Sequence, residues 1–323
     1  MNEAPTKEGL PRFAHEAMAT TFEVVVAGQD GEYARQAAGE VFREIDRIEQ
    51  ALSRFIELSD ISQINAARAG VEVRIGLRAF ECLQTAARMY VETEGAFDVT
   101  IGPLMDCWRN PDKTPRTPSE AELAAARARV GMPLVEFDPK NVSVRLKADG
   151  MRLDLGGIGK GFALDKAAEL LGDWGIEAAL IHGGGSTVMA MGAPPGSVGW
   201  PLGVGGAGKG YPSVGKVLLR DNAVSGSGVE YQGAHIFDPR SGKPVAGKIA
   251  TWAVCAGAAK ADALSTAFMV MELGAIETYC AEHPGTCAMV LPKDGGKERY
   301  TRFGPWEKLL DLAPARAQGS PAG

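Results

Sequence analysis

Asp262 and Thr266 stand four residues apart at the start of an apolar run, KADALSTAFMVMEL, that reads as a helix over 260–273 with Gly274 just past its end. That spacing sets a carboxylate and a hydroxyl on one helix face, where both can reach a single cation. Hard oxygens of this kind suit Mg²⁺, which takes one or two protein groups and fills its shell with water and substrate phosphate. The pair also fits an ordinary helix start, with Thr266 bonding back to its own helix. His235 is the histidine that sits among polar turn-formers and charges, in HIFDPRSG. A base near neutral pH there could take a proton from a hydroxyl. His15, His182 and His283 have less such company, although His182 beside GGGST could line a pocket or serve the structure.

A second chemical stretch is DGMRLDLGGIGKGFALD, residues 149–165. Asp149-Gly150 reads as a tight hairpin joining NVSVRL to MRLDL. Gly156, Gly157, Gly159 and Gly161 then surround Lys160, and apolar residues at helical spacing follow from Phe162. Strand, glycine loop and helix start offer backbone N–H groups and a helix dipole to an anion, with Lys160 adding a full charge. The alternative is that the glycines only let a helix pack close to its neighbour. Gly203-x-Gly205-x-x-Gly208 and the Gly203–Lys209 run match nucleotide fingerprints on paper. However, Gly210 follows and Pro212 comes soon after, where either motif needs a helix, so this reads as a loop.

The chain has 323 residues, 45% apolar and 23% charged, with a net charge of −6, as in an ordinary globular protein with ample core. That balance gives no general attraction to nucleic acid. Cys82, Cys107, Cys255, Cys280 and Cys287 form no C-x-x-C pair, so neither a zinc site nor a disulfide framework is expected, and Cys255 reads as buried and inert. No apolar stretch approaches a membrane span and the start has no apolar leader segment, so as the sequence stands a cytoplasmic location is expected.

Several elements must position these groups. Residues 1–16 read as a polar arm and Thr21–Ala27 as a strand approached through Met18, Ala19 and Thr20. Ala34, Ala38, Val41, Ile45, Ile48, Leu52 and Phe55 mark one buried helix face, which makes Phe55 by default a core residue. A short turn over 59–65, a strand over 71–75 and a helix over 77–93 capped by Gly95 follow. Gly102-Pro103 reads as a stop, residues 109–118 as a proline-rich surface loop, and Ser119 to Glu122 as a capping box. Strands are expected at 176–182, in VMAMG, in WPLGV within a loop-rich 192–215, at 249–256, and last at 287–292 before a tail.

In order along the chain, MATTFEV, LSRFIELSDISQIN, GAFDVTIGPLMDCW, LDLGGIGKGFALDKAAELL, IHGGGSTVMAMG, HIFDPRSGKP and KADALSTAFMVMELG resemble the segments of the ApbE-type FAD:protein FMN transferases. The resemblance runs from about Met18 to about Leu291. It implies a T-fold-related α+β protein of mixed, largely antiparallel sheet with packed helices, one catalytic unit that can look like two lobes with FAD between them. The layout expected is a flexible arm over 1–16, a flavin transferase domain over 17–312 and a flexible tail over 313–323.

Residue by residue, the resemblance implies FAD contacts at Met18, Phe55, Ala96, Phe97, Asp98, Asp154, Lys160 and Ile236. It implies Mg²⁺ at Asp262, Thr266 and the carbonyl of Gly157, and acceptor activation by His235. The implied reaction moves FMN from FAD to a Thr or Ser hydroxyl of a flavin-accepting protein, such as an electron-transfer or reductase subunit, with AMP leaving. Hydrolysis of FAD to FMN and AMP, or flavin binding without catalysis, are the other readings. The chain departs from the family pattern at Ala234, where many members have a second histidine, and at Gly159, where most have alanine. It also departs in HGGGST and in the short stretch with Glu230 and Tyr231. Most of these changes lie toward the acceptor side.

Overall fold

The strands TFEVVVA and AALIHG are apolar without alternation because both faces of the sheet they build are covered. In the computed structural model, which describes residues 9–110, 112, 114–205, 213–229, 236–293 and 300–309, thirteen strands and eight α-helices are defined. The large sheet has eight strands in the order β1 (Arg12–Ala17), β2 (Thr20–Ala27), β6 (Ala178–Gly183), β7 (Thr187–Met191), β10 (Asn222–Gly228), β11 (Lys248–Cys255), β12 (Cys287–Pro292) and β13 (Thr301–Phe303). All of its pairings are antiparallel. One face carries Val24, Val26, Ala179, Ile181, Ala253 and Cys255 into the main core. The other carries Val25, Ala27, Ala178, Leu180 and Val254 into a second core. That second core is closed by Trp306 and by the hairpin of β8 (Trp200–Gly205) and β9 (Ser213–Leu219).

Helices α1 (Gly31–Leu52), α3 (Leu77–Glu92), α6 (Gly159–Asp173) and α7 (Ala258–Val270) fill the main core. Asp30 caps α1 by accepting from the N–H groups of Glu32 and Tyr33, and its apolar stripe from Ala34 to Leu52 is buried as its spacing requires. Ser59 caps α2 (Asp60–Ala66), and the capping box of Ser119 and Glu122 opens α5 (Glu120–Arg127). A separate antiparallel sheet, β3 (Glu72–Arg74), β5 (Ser143–Leu146) and β4 (Val135–Asp138), lies in that order.

Five expectations are corrected. Residues 12–16 belong to β1, not to a flexible arm. The tail over 313–323 and the Gly208–Lys209 end of the nucleotide-like motif lie outside the described residues. Asp149-Gly150 does turn, with Gly150 at φ +75°, but it makes no hairpin. The Asp149 carboxylate accepts from the Ala69 N–H, and the side chain of Asn65 exchanges hydrogen bonds with both backbone groups of Leu153. Arg152 bridges Ile101 in parallel instead.

Gly102-Pro103 begins rather than ends structure, since a proline without an N–H fits the first turn of α4 (Gly102–Cys107). The helix that carries Asp262 ends at Val270, where the Lys248 ammonium donates to the carbonyls of Met269 and Met271, so Gly274 lies inside α8 (Leu273–Glu282). Finally, β13 follows the strand expected to be last. No helix among the described residues is long and apolar enough to cross a membrane.

Candidate active site

The site is assembled where α6 and α7 meet under the large sheet. A Cβ on Gly161 would lie 2.2 Å from the carbonyl oxygen of Ala258, so only glycine lets the two helices approach this closely. Asp165, one turn on, accepts from the N–H groups of Ala258 (2.6 Å) and Ala259 (2.9 Å). A carboxylate from α6 thereby satisfies the open start of α7. These two contacts fix α7 against the glycine loop and so set the place of Asp262.

Asp262 is 3% exposed. Its Oδ2 accepts from the Gly161 N–H at 3.1 Å. Its Oδ1 faces the Ser225 hydroxyl at 3.0 Å and the Thr187 hydroxyl at 3.4 Å. Thr266 lies one turn further, its hydroxyl 3.4 Å from the Asp262 carbonyl and 3.3 Å from the Ser227 hydroxyl. The loop presses against this pair: a Cβ on Gly157 would stand 3.1 Å from Thr266 Oγ1 and 3.2 Å from the Phe97 ring. Gly157 therefore brings bare backbone to the threonine. Among the described residues no group of three or more His, Cys, Asp or Glu side chains gathers to hold a metal. The donor set is one carboxylate and several neutral oxygens. That composition fits Mg²⁺ rather than a softer ion.

Asp154 is fixed by three contacts. Its N–H donates to the Val99 carbonyl at 2.7 Å, its Oδ1 accepts from Gly156 N–H at 2.8 Å, and its Oδ2 pairs with Arg54 Nε at 3.0 Å. Asp98 accepts from the N–H and hydroxyl of Thr100. Burial pushes its carboxyl up to about 6 against these two bonds. The folded state thus holds the Asp98 proton more tightly than the unfolded chain, and the stability this contributes is lost as pH rises through about 6. Asp98→Asn keeps both acceptor contacts and carries no charge. It is expected to raise stability at about pH 8 by up to about 3 kcal/mol, with little gain at about pH 4, in urea unfolding at the two pH values.

A cavity of about 500 Å³ joins these groups. Of the residues named from sequence, Ala96, Phe97, Asp98, Asp154, Gly157, Lys160, Ile236, Asp262 and Thr266 all line it. Met18 and Phe55 do not. Met18 and Ala19 form the two-residue β1–β2 turn, both at positive φ (50° and 56°), and Met18 packs on the main core. Phe55 is 83% exposed rather than in the core, and the Arg54 guanidinium lies 4.9 Å from its ring centre. His235 lies outside the described residues. The segment after it is anchored, since Val245 N–H donates to the Ile236 carbonyl and Trp108 Nε1 donates to the Gly242 carbonyl.

Sequence reading missed Arg54, although it precedes Phe55 in LSRF, and Arg109, two residues past α4; both line the cavity. It also missed the hydroxyls of Ser225 and Ser227, which alternate along β10 with no motif to mark them, and that of Thr187, which ends HGGGST. The other histidines lie elsewhere. His15 pairs with Asp46, His283 stacks on Tyr279, and His182 is held below its usual range by burial. Cys255 is buried, and burial pushes its thiol up to about 12, as expected of an inert cysteine.

Fold and cavity define an α+β protein with a carboxylate and hydroxyls set against a glycine loop. The chain belongs to the ApbE family, whose profile matches residues 18–291. It is 28% identical over 279 residues to an FAD:protein FMN transferase of Klebsiella pneumoniae (strain 342), covering 79% of this chain and 76% of that one. It is 26% identical over 298 residues to the FAD:protein FMN transferase of Vibrio cholerae, covering 88% of each. Among solved structures, the flavinyl transferase ApbE of Pseudomonas stutzeri in its apo form aligns with a TM-score of 0.82 at 25% identity, over 93% of this chain and 96% of that one. The flavin transferase ApbE of Vibrio cholerae aligns with a TM-score of 0.80 at 23% identity, over 93% and 100%.

Proposed function

We propose that this protein transfers FMN from FAD to a Thr or Ser hydroxyl of a flavin-accepting protein. The observation that carries the reading is the convergence of Asp98, Asp154, Lys160, Asp262 and Thr266 in one cavity of a chain of this family. In the reaction the acceptor oxygen bonds to the phosphorus of the FMN half. The bond from that phosphorus to the bridging oxygen breaks, and the oxygen leaves with AMP. His235 takes the hydroxyl proton. Asp262, Thr266, and the Gly157 carbonyl would hold Mg²⁺, which when bound neutralises diphosphate charge and favours departure of AMP.

Lys160 supplies a fixed positive charge on the cavity wall, and it forms no ion pair among the described residues. Arg54 is committed to Asp154. FAD binding therefore leans on Lys160 together with Arg109, another cation on the cavity wall, and Lys160→Ala should weaken it by about 10- to 100-fold, the worth of one charge-assisted hydrogen bond. Equilibrium dialysis with FAD measures this, and wild-type affinity would remove the lysine from the phosphate site. Arg54→Ala should act differently, by freeing Asp154.

The function is tested by incubating the protein with FAD, Mg²⁺ and threonine-bearing acceptor proteins, then reading covalent flavin by in-gel fluorescence. A fluorescent acceptor band that EDTA abolishes is expected. AMP released without any acceptor band would make the protein an FAD pyrophosphatase. Tight FAD binding with no AMP would make it a flavin-binding protein.

A further inference from the structure

Asp262 is a nearly buried carboxylate, and among the described residues no cationic side chain bonds to it and its charge is met by neutral donors. A carboxylate accepts and never donates, so proton directions around it can be worked out. Ser225 must donate to Oδ1. Thr187 lies 2.9 Å from Ser225 Oγ but 3.4 Å from Oδ1, so its proton goes to Ser225. Ser186, a cavity residue 3.4 Å from Thr187 Oγ1, can donate to Thr187 in turn.

A second chain runs beside the first. Ser265 donates to the Asp262 carbonyl at 2.9 Å, and Ser227 to Ser265 at 2.9 Å. Both chains point their protons toward Asp262. Thr187, Ser225 and Ser265 are all fully buried.

We propose that Thr187 and Ser225 are positioning residues for a divalent cation. By donating in series to Oδ1 from the sheet side, they fix the Asp262 carboxylate between β10 and the Gly161 N–H. An outward lone pair then remains for the ion. Neither hydroxyl lines the cavity, so their effect reaches the ion only through Asp262. Hydrogen bonds of this kind orient a ligating carboxylate, and losing one costs about 10- to 100-fold in metal affinity. The inference rests on the cation reading given under Proposed function.

The test is Mn²⁺ titration of the FAD-free protein, followed by electron paramagnetic resonance, alongside circular dichroism melting. Thr187→Val keeps the shape and removes the hydroxyl, whereas Thr187→Ser keeps the hydroxyl and removes a methyl. Thr187→Val is expected to weaken Mn²⁺ binding about tenfold or more, and Thr187→Ser to restore it. Ser225→Ala should weaken it as well. A role in packing alone would leave Thr187→Ser as impaired as Thr187→Val, and that result overturns the proposal. So does wild-type Mn²⁺ affinity in Thr187→Val when Asp262→Asn has lost it. If the wild-type protein itself binds no Mn²⁺, the cation reading fails first. Should Ser225→Ala not fold, the threonine pair still decides.

Discussion

Gly161→Ala is expected to cost the chain about 3 kcal/mol or more of its folding stability. Overpacking a core with one methyl usually costs about 1–3 kcal/mol, because side chains shift to make room. At Gly161 nothing flexible stands in the way. The added Cβ would meet the oxygen and carbon of the Ala258 carbonyl at 2.2 and 2.6 Å and the Ala259 Cα at 2.7 Å. Only a separation of α6 from α7 relieves those contacts. It would also pull Asp165 from the N–H groups that it caps and the Gly161 N–H from Asp262. Against a total of about 5–15 kcal/mol, that is a large share.

The control lies in the same helix. A Cβ on Gly172 would meet nothing within 4 Å, so Gly172→Ala should stabilise the protein by about 0.5–1 kcal/mol through helix propensity. Urea unfolding of the two variants measures both effects. Equal midpoints would mean that α6 and α7 do not meet as closely as Gly161 implies.

The glycine loop shows how far sequence carries and where it stops. Four glycines around Lys160 announced close approach, but two purposes were open: an anion cradle, or helix packing. The structure divides the work between them. Gly161 serves packing against α7, whereas Gly157 brings backbone to Thr266 in the cavity. Spacing alone gives no way to separate these, because the partner atoms lie about a hundred residues further on.

The same reason hid the Asn65–Leu153 pairing. It replaces a strand partner with a side chain and so undid the expected hairpin. Elements with local signals were legible: the stripe of α1, the Ser119 cap, the Gly95 helix end. Phe55 misled because its period continued the α1 stripe three residues beyond a helix that ends at Leu52. The proline at 103 misled because the same missing N–H that breaks a helix interior suits a helix start.

Asp262→Asn should abolish cation-dependent chemistry while leaving a folded protein, and the choice of asparagine over alanine decides what is learned. Alanine would strand the Gly161 N–H and the buried Ser225 hydroxyl without an acceptor, at about 1–3 kcal/mol each. Asparagine can place its carbonyl oxygen toward the Gly161 N–H and its amide toward Ser225 Oγ, with the hydroxyl chain reversed. Every buried group then keeps a partner, and the buried charge is gone. Removing an uncompensated charge from a site 3% exposed does not weaken the folded state on its own.

Melting temperature without cation should therefore match or exceed wild type, while the rise produced by Mg²⁺ disappears. Transfer of FMN should fall by about a thousandfold, about 4 kcal/mol of transition-state stabilisation, as expected when the charged anchor of a metal-assisted phosphoryl site is lost. The separation of the two readouts carries the argument. A variant that melts early and is inactive reports only damage to α7. One that melts normally, ignores Mg²⁺ and transfers no flavin ties the carboxylate to the ion. Retained transfer with a retained Mg²⁺ response would place the cation elsewhere in the cavity, away from Asp262 and Thr266.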